Sequence, residues 1–124
     1  MSEKRQKLGK FGEQAALDYL QNLGMKLFEK NFRIRAGEID LIMWDKDVLV
    51  FVEVRTRSND AFGLPLETID RTKRGKIVKT ARHFLAKRKI SPEIRCRFDL
   101  VGILTLPGKP PKINHIANAF FVNE

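Results

Sequence analysis

The chain has 124 residues and a mass of 14.3 kDa, the size of one domain, which excludes a multidomain enzyme. Lysine and arginine total 24 against 15 aspartates and glutamates, giving a formal net charge of +9 and a pI near 10.0, so the fitting partners are polyanions, nucleic acid before an anionic membrane. With 43% hydrophobic residues the chain can build a core and is no disordered basic tail.

A basic flexible arm over residues 1–8 is followed by Phe11, Ala15, Ala16, Tyr19, Leu20 and Leu23 at helical spacing, so residues 11–23 read as a helix with Gly24 as its cap. Residues 26–35 alternate loosely as a strand that turns at Ala36-Gly37. Residues 39–44 and 48–55 are strong strands separated by a short polar turn, which predicts a hairpin. A loop at Gly63-Leu64-Pro65 leads to a second helix over 67–87, with Ile69, Ile77, Ala81, Phe84 and Leu85 as its apolar stripe. Ser91-Pro92 ends that region. Residues 94–104 read as a strand, the segment 107–111 as a turn and 113–122 as a weaker last strand. The order αβββαββ predicts an α/β fold: one central mixed sheet flanked by helices, in a single domain over 1–124.

The polar start of the chain leads into no apolar signal core, and the longest apolar run, Val48 to Val52, is far short of the roughly 20 residues that cross a bilayer. The single cysteine, Cys96, excludes an internal disulfide, and with only His83 and His115 beside it no zinc centre is expected. A soluble, cytoplasmic protein without a membrane partner is the expectation. Cys96 reads as a small packed residue, and the two histidines as structural or surface residues.

Acids placed inside apolar runs are the informative feature. Asp40 interrupts Ile39-Asp40-Leu41-Ile42-Met43-Trp44, and Glu53 interrupts Phe51-Val52-Glu53-Val54. A two-residue turn at Lys46-Asp47 pairs Asp45 with Val48 and brings Asp40 opposite Glu53, so the two carboxylates share a face and repel. A three-residue turn would put Asp40 opposite Val52, on the other face from Glu53. A hard divalent cation is one remedy for the repulsion, since Mg²⁺ takes oxygen ligands. Half-exposed strand acids with Arg55 as an ordinary cross-strand partner are the other reading. Arg55 lies two positions after Glu53 on the same face. Glu13 shares a helix stripe with Ala16, Leu17 and Leu20; it is either a further ligand or a solvated acid near the helix start. Glu38 reads as a strand-entry acid paired with Arg33 or Arg35, and Asp99 as the partner of an arginine.

The second helix carries Arg71, Lys73, Arg74, Lys76, Lys79, Arg82, Lys87 and Arg88 with almost no interleaved acid. Such a face suits a phosphate backbone, and binding there falls steeply with salt. Lys73, four before Ile77, lies nearest the packed edge. Arg33, Arg35, Arg55 and Arg57 extend the positive field around the hairpin.

Gly12-Glu13-Gln14-Ala15-Ala16, Gly37-Glu38-Ile39-Asp40-Leu41-Ile42 and Phe51-Val52-Glu53-Val54-Arg55-Thr56-Arg57, with Arg97-Phe98-Asp99-Leu100-Val101, together resemble the YraN-like family of small bacterial proteins. The resemblance covers nearly the whole chain. That family is itself similar to archaeal Holliday-junction resolvases of the PD-(D/E)xK nuclease superfamily, which has the restriction-endonuclease-like fold. The resemblance implies that Glu13, Asp40 and Glu53 stand where the superfamily binds catalytic Mg²⁺ (or Mn²⁺), and that Arg55 stands where its pattern usually has lysine. Ile39 replaces the proline that names the motif, while the carboxylate beside it is kept. Arginine stays protonated, so Arg55 cannot act as a general base, although it can orient a scissile phosphate and stabilise charge on it. The implied activity is a metal-dependent endonuclease acting on branched or structured DNA rather than RNA, with Arg57, Lys73, Arg74, Lys76 and Lys79 holding nucleic acid. On a four-way junction a homodimer would place two sites. The alternative is a nucleic-acid-binding module that keeps the fold without catalysis.

Overall fold

Alternating apolar residues in the middle of the chain put an oily surface on both sides of one sheet, and among the described residues each side is covered by one helix. The computed structural model describes residues 3–58 and 70–120. Its elements run α1 (Glu3–Asn22), β1 (Lys26–Ile34), β2 (Gly37–Asp45), β3 (Val48–Arg57), α2 (Arg71–Lys87), β4 (Arg95–Leu104) and β5 (Lys112–Phe120). The five strands form one sheet in the order β1-β2-β3-β4-β5. All neighbours are antiparallel except β3 and β4, which are parallel. That pairing requires a crossover, and α2 lies within it. The order αβββαββ is the expected one, and the α/β architecture is that of a restriction-endonuclease-like fold.

On one face Ala16, Leu17 and Leu20 of α1 meet Leu41, Met43, Val50, Val52, Val101 and Ile103. On the other, Ile77, Ala81 and Phe84 of α2 meet Phe32, Ile39, Ile42, Leu49, Phe51, Phe98 and Leu100. Phe84 is the hub of the second core: fully buried, it meets the rings of Phe28, Phe32 and Phe51 edge-on at 5.5, 5.0 and 6.1 Å. Edge-to-face contact suits the ring quadrupoles, and burying a phenylalanine contributes ~1.5–3 kcal/mol.

The helices differ from the sequence expectation in two ways. First, α1 begins at Glu3, so most of the expected arm is helix; Lys4, Gln6 and Lys7 are good helix formers, and Lys7 pairs with Glu3 one turn away at 3.8 Å. Second, its buried stripe is rotated. Leu17 is buried, whereas Phe11 and Leu23 are 48% and 55% exposed. Gly12 dictates that rotation. A methyl group there would run into Thr56 Oγ1, so the bare backbone of α1 lies directly on β3. The first turn of α2 is capped by Asp70, whose side chain accepts the Lys73 N–H at 2.9 Å. The expected loop at Gly63-Leu64-Pro65 and the expected helix start at 67–69 lie outside the described residues.

Two contacts set where α2 sits. At its far end Arg88 grips Glu29 of β1 through two hydrogen bonds of 2.9 and 2.6 Å and lies over the rings of Phe84 and Phe32. Nearer its start, Gly37 of β2 comes so close that an added Cβ would sit 2.7 Å from Thr80 Oγ1 and 3.3 Å from the Lys76 carbonyl oxygen. Both edge strands are irregular: the ladders shift register between Leu27 and Glu29 on β1 and between Phe98 and Leu100 opposite β5. Asn31 and Asn118 adopt left-handed φ of 55° and 57°.

The close approach at Gly12 is directly testable. Gly12→Ala is expected to destabilise the protein by ~1–3 kcal/mol through overpacking. Adding Thr56→Ala should recover part of that loss in urea unfolding, and an unaffected Gly12→Ala protein would remove the contact from the account.

Candidate active site

The hairpin register is the one required for the two acids to meet. Asp45 pairs with Val48 across the Lys46-Asp47 turn, and the ladder runs to Leu41↔Val52. Beyond that pair β3 stays with β4 as far as Arg57↔Leu104, and β2 stays with β1 down to Ile34↔Gly37. The strands β2 and β3 therefore part company at Asp40 and Glu53. Asp40 fills the gap with its side chain, Oδ2 accepting the Val54 N–H at 2.8 Å. The side-chain alternation also breaks here, since Ile39 and Ile42 both join the core under α2 while Leu41 faces α1. Across β1, between the pairs Lys30↔Leu41 and Phe32↔Ile39, stands the left-handed Asn31.

The parting strands leave a cleft of about 320 Å³ lined by Glu38, Asp40, Glu53, Val54, Lys73 and Lys76, among others. Burial pushes the Asp40 carboxyl up to about 8, helped by its hydrogen bond to Glu53 and the charge of that neighbour. The Val54 N–H pulls the other way, and the charge of Glu13 adds a smaller upward push. A proton on Asp40 relieves the repulsion between the two carboxyls. Lys73 reaches down from α2 to within 2.6 Å of Glu53 Oε2. The approach is too oblique for a hydrogen bond, so that buried oxygen has no directed donor. An acceptor-rich carboxyl pair, one oxygen of it without a donor, fits a hard divalent cation by its chemistry. Asp40 and Glu53 are the residues that would hold one.

Glu13 stands apart. It lines a second cleft of about 190 Å³ on the α1 side, together with Lys10, Lys30, Asn31 and Leu41, and accepts a 3.0 Å hydrogen bond from Asn31 Nδ2. Among the described residues no three His, Cys, Asp or Glu side chains gather around one point. The structure therefore brings Asp40 and Glu53 together and leaves Glu13 outside their cleft, linked through Asn31. Sequence reasoning passed over Asn31; an asparagine inside a strand pattern, a residue type that tolerates left-handed geometry, was the available signal.

The basic residues divide in the same way. Lys73 and Lys76 line the cleft and also a broader groove of about 530 Å³ with Asp70, Arg71 and Thr72. Lys79 is exposed further along α2. Arg74 is half-buried with its guanidinium 6.0 Å over the Phe120 ring, and Arg88 is committed to Glu29. Arg55 is half-buried and is not among the residues lining the cleft. Arg57 is half-buried, its Nε without a hydrogen-bond partner and its carbonyl accepting the Thr105 N–H at 2.8 Å. Glu38 pairs with Arg33 at 3.2 Å, as expected of a strand-entry acid.

On the α1 side of the sheet, Asp99 is buried and fully partnered. Arg97 donates to it from Nε at 3.0 Å, the Asn118 N–H from β5 at 3.1 Å, and His115 Nε2 lies 2.7 Å away. Burial works against its charge, yet His115, Arg97 and Asn118 hold the carboxyl below its ordinary value. Arg97 also reaches Asp45 at 2.7 Å, tying the hairpin to β4. Cys96, expected to be packed, is exposed because it lies at the start of β4, ahead of the positions the helices cover.

The profile of the family described as "Uncharacterised protein family UPF0102" matches residues 12–103. A UPF0102 protein of Desulforamulus reducens is 43% identical over 121 residues, covering 96% of this chain and 99% of the relative. One from Legionella pneumophila is 46% identical over 115 residues, covering 93% and 95%, and one from Clostridioides difficile 42% identical over 112 residues, covering 90% and 95%. Among the described residues no helix is long and apolar enough to cross a membrane.

The raised Asp40 carboxyl gives a pH signature. The folded protein holds the Asp40 proton more tightly than the unfolded chain, whose carboxyl titrates near 3.8. The resulting stabilisation is complete below that value and is lost as the pH rises toward about 8. Asp40→Asn mimics the protonated acid: its amide donates to Glu53 and its oxygen still accepts from Val54. Its melting temperature in EDTA is therefore expected to exceed the wild type's by about 5 °C or more near pH 9 and by little near pH 4. A difference independent of pH would rule out a proton held on Asp40.

Proposed function

The chain belongs to the uncharacterised protein family UPF0102, and we propose that it is a metal-dependent endonuclease that hydrolyses phosphodiester bonds of branched or otherwise structured DNA. The observation that carries this reading is the apposition of Asp40 and Glu53 at the point where β2 and β3 separate, beneath two lysines of α2. A buried acid pair costs stability, and a carboxyl displaced as far as that of Asp40 is most often found at a reactive site. A protein with a net charge of +9 also draws polyanions toward that cleft.

Each side chain then has a role. Asp40 and Glu53 hold Mg²⁺ or Mn²⁺. Bound there, such a cation supplies Lewis acidity toward a phosphate oxygen and acidifies a water. Lys76, exposed on the wall of the cleft, binds phosphate oxygens, and Lys79 and Arg71 extend that contact along α2. Val54 fixes the orientation of Asp40 through its N–H. Glu13 works at a distance by holding Asn31, the residue across the ladder from Asp40. Arg55, permanently protonated and outside the lining of the cleft, adds to the positive field around it rather than accepting a proton. Paired nicks on a four-way junction need two such sites, so on that substrate the active species is a two-fold dimer.

One observation favours a second reading, a nucleic-acid-binding module without catalysis. The Lys73 ammonium already offsets the charge of Glu53, and no lysine follows Glu53 in the strand. Purified protein incubated with linear, flapped and four-way-junction DNA in Mg²⁺, Mn²⁺ or EDTA separates the two. The nuclease reading expects cation-dependent cutting that Glu53→Gln reduces by about 100-fold or more, the scale of losing a group that acts on the transition state. Salt-sensitive binding that ignores EDTA, with no cutting under any cation, would establish the binding module instead.

A further inference from the structure

We propose that Lys73 is a built-in counter-cation for Glu53, which a divalent ion entering the acid pair displaces and so frees to grip phosphate. The inference rests on the reading of Asp40 and Glu53 as a cation site, but not on whether that site cuts DNA. Three observations carry it. The Lys73 Nζ lies 2.6 Å from Glu53 Oε2, close enough that a second cation cannot share that oxygen without strong repulsion. The two side chains are unequally buried: Glu53 is only 10% exposed and Lys73 is 47% exposed, so the acid is fixed and the ammonium enters from the solvent side. The contact is off the direction of a hydrogen bond, which leaves Glu53 Oε2 without a donor.

The released ammonium has a defined place to go. The Lys73 backbone is anchored, its N–H bound to the capping Asp70 at 2.9 Å, so only the four-carbon stem moves. Lys73 borders both the acid cleft and the broader groove that Arg71 and Lys76 also line. Leaving Glu53, its ammonium joins those two cations on the groove side. Loading of the acid pair and binding of a phosphate are thereby coupled through one side chain. By linkage the coupling runs both ways, so phosphate that engages Lys73 strengthens cation binding at Glu53.

The test titrates Mn²⁺ into the full chain without DNA, by calorimetry and by the electron paramagnetic resonance signal of free Mn²⁺, at one pH and ionic strength. Lys73→Gln is expected to bind Mn²⁺ about 5-fold or more tightly than the wild type, the lower end of ordinary coupling between sites. Lys73→Arg keeps the charge and should stay near wild type. Lys109→Gln removes the same charge from an exposed turn away from the cleft and should also stay near wild type. Unchanged or weaker binding by Lys73→Gln overturns the proposal, as does equal tightening by Lys109→Gln or a failure of all four proteins to bind. In the wild type, the Lys73 ammonium nitrogen resonance should move as Mg²⁺ is added, a readout that does not depend on any variant folding. A fixed resonance alongside measurable Mg²⁺ binding would also overturn it. Lysine-dependent Mn²⁺ binding in a protein that never cuts DNA would refute the nuclease reading and leave this one standing.

Discussion

Two carboxyl groups held against each other inside a folded protein repel unless something positive lies between them or a proton joins them, and much of this structure can be traced to that constraint. The hairpin forces Asp40 and Glu53 onto one face at the point where its ladder ends. The end of the ladder opens the cleft. Above it, the first turn of α2 must lie low enough for a lysine to reach Glu53, and the bare backbone of Gly37 permits that descent. Arg88 at the other end of α2 fixes the helix against β1 through Glu29, so its position over the acids is held at both ends.

The sheet carries a second buried acid that behaves in the opposite way. Asp99 is surrounded by donors and remains charged, whereas Asp40 has one backbone donor and a like-charged neighbour. A satisfied buried network rigidifies, and here it joins β4, β5 and the turn end of the hairpin through Arg97. An unsatisfied one is open to a ligand. The same sheet thus holds a fully partnered acid on its α1 side and an under-donated acid pair on its α2 side, and the difference lies in the number of donors rather than in depth.

Local pattern carried the hairpin. A two-residue turn and the period of two in a strand were enough to bring Asp40 and Glu53 together, and the same short-range reasoning gave Asp99 an arginine, found to be Arg97, and Glu38 either Arg33 or Arg35, found to be Arg33. What stayed hidden was set by tertiary approach. The rotation of α1 depends on a contact between Gly12 and Thr56, far apart in the chain, and Glu13 goes with that rotation into a separate cleft. The left-handed turn of Asn31 inside a strand has no periodic signature. The charge run on α2 reads as uniform, yet Arg74 and Arg88 are drawn against aromatic rings and an acid, while Lys76 and Lys79 remain exposed. Charge can be counted from a sequence; which charges the fold uses internally cannot.

The two irregular edge strands have a consequence for how copies of the chain can meet. An open sheet offers rows of free N–H and C=O groups at both margins, and such margins recruit further strands. Here β1 has a register shift beside a left-handed Asn31, and β5 has a left-handed Asn118 opposite a second shift in β4. Each margin is therefore kinked where an incoming strand would need a straight run of partners, and Lys26, Lys30 and Arg33 add like charges along β1. Any lasting association between two chains is left to surfaces other than the sheet's margins.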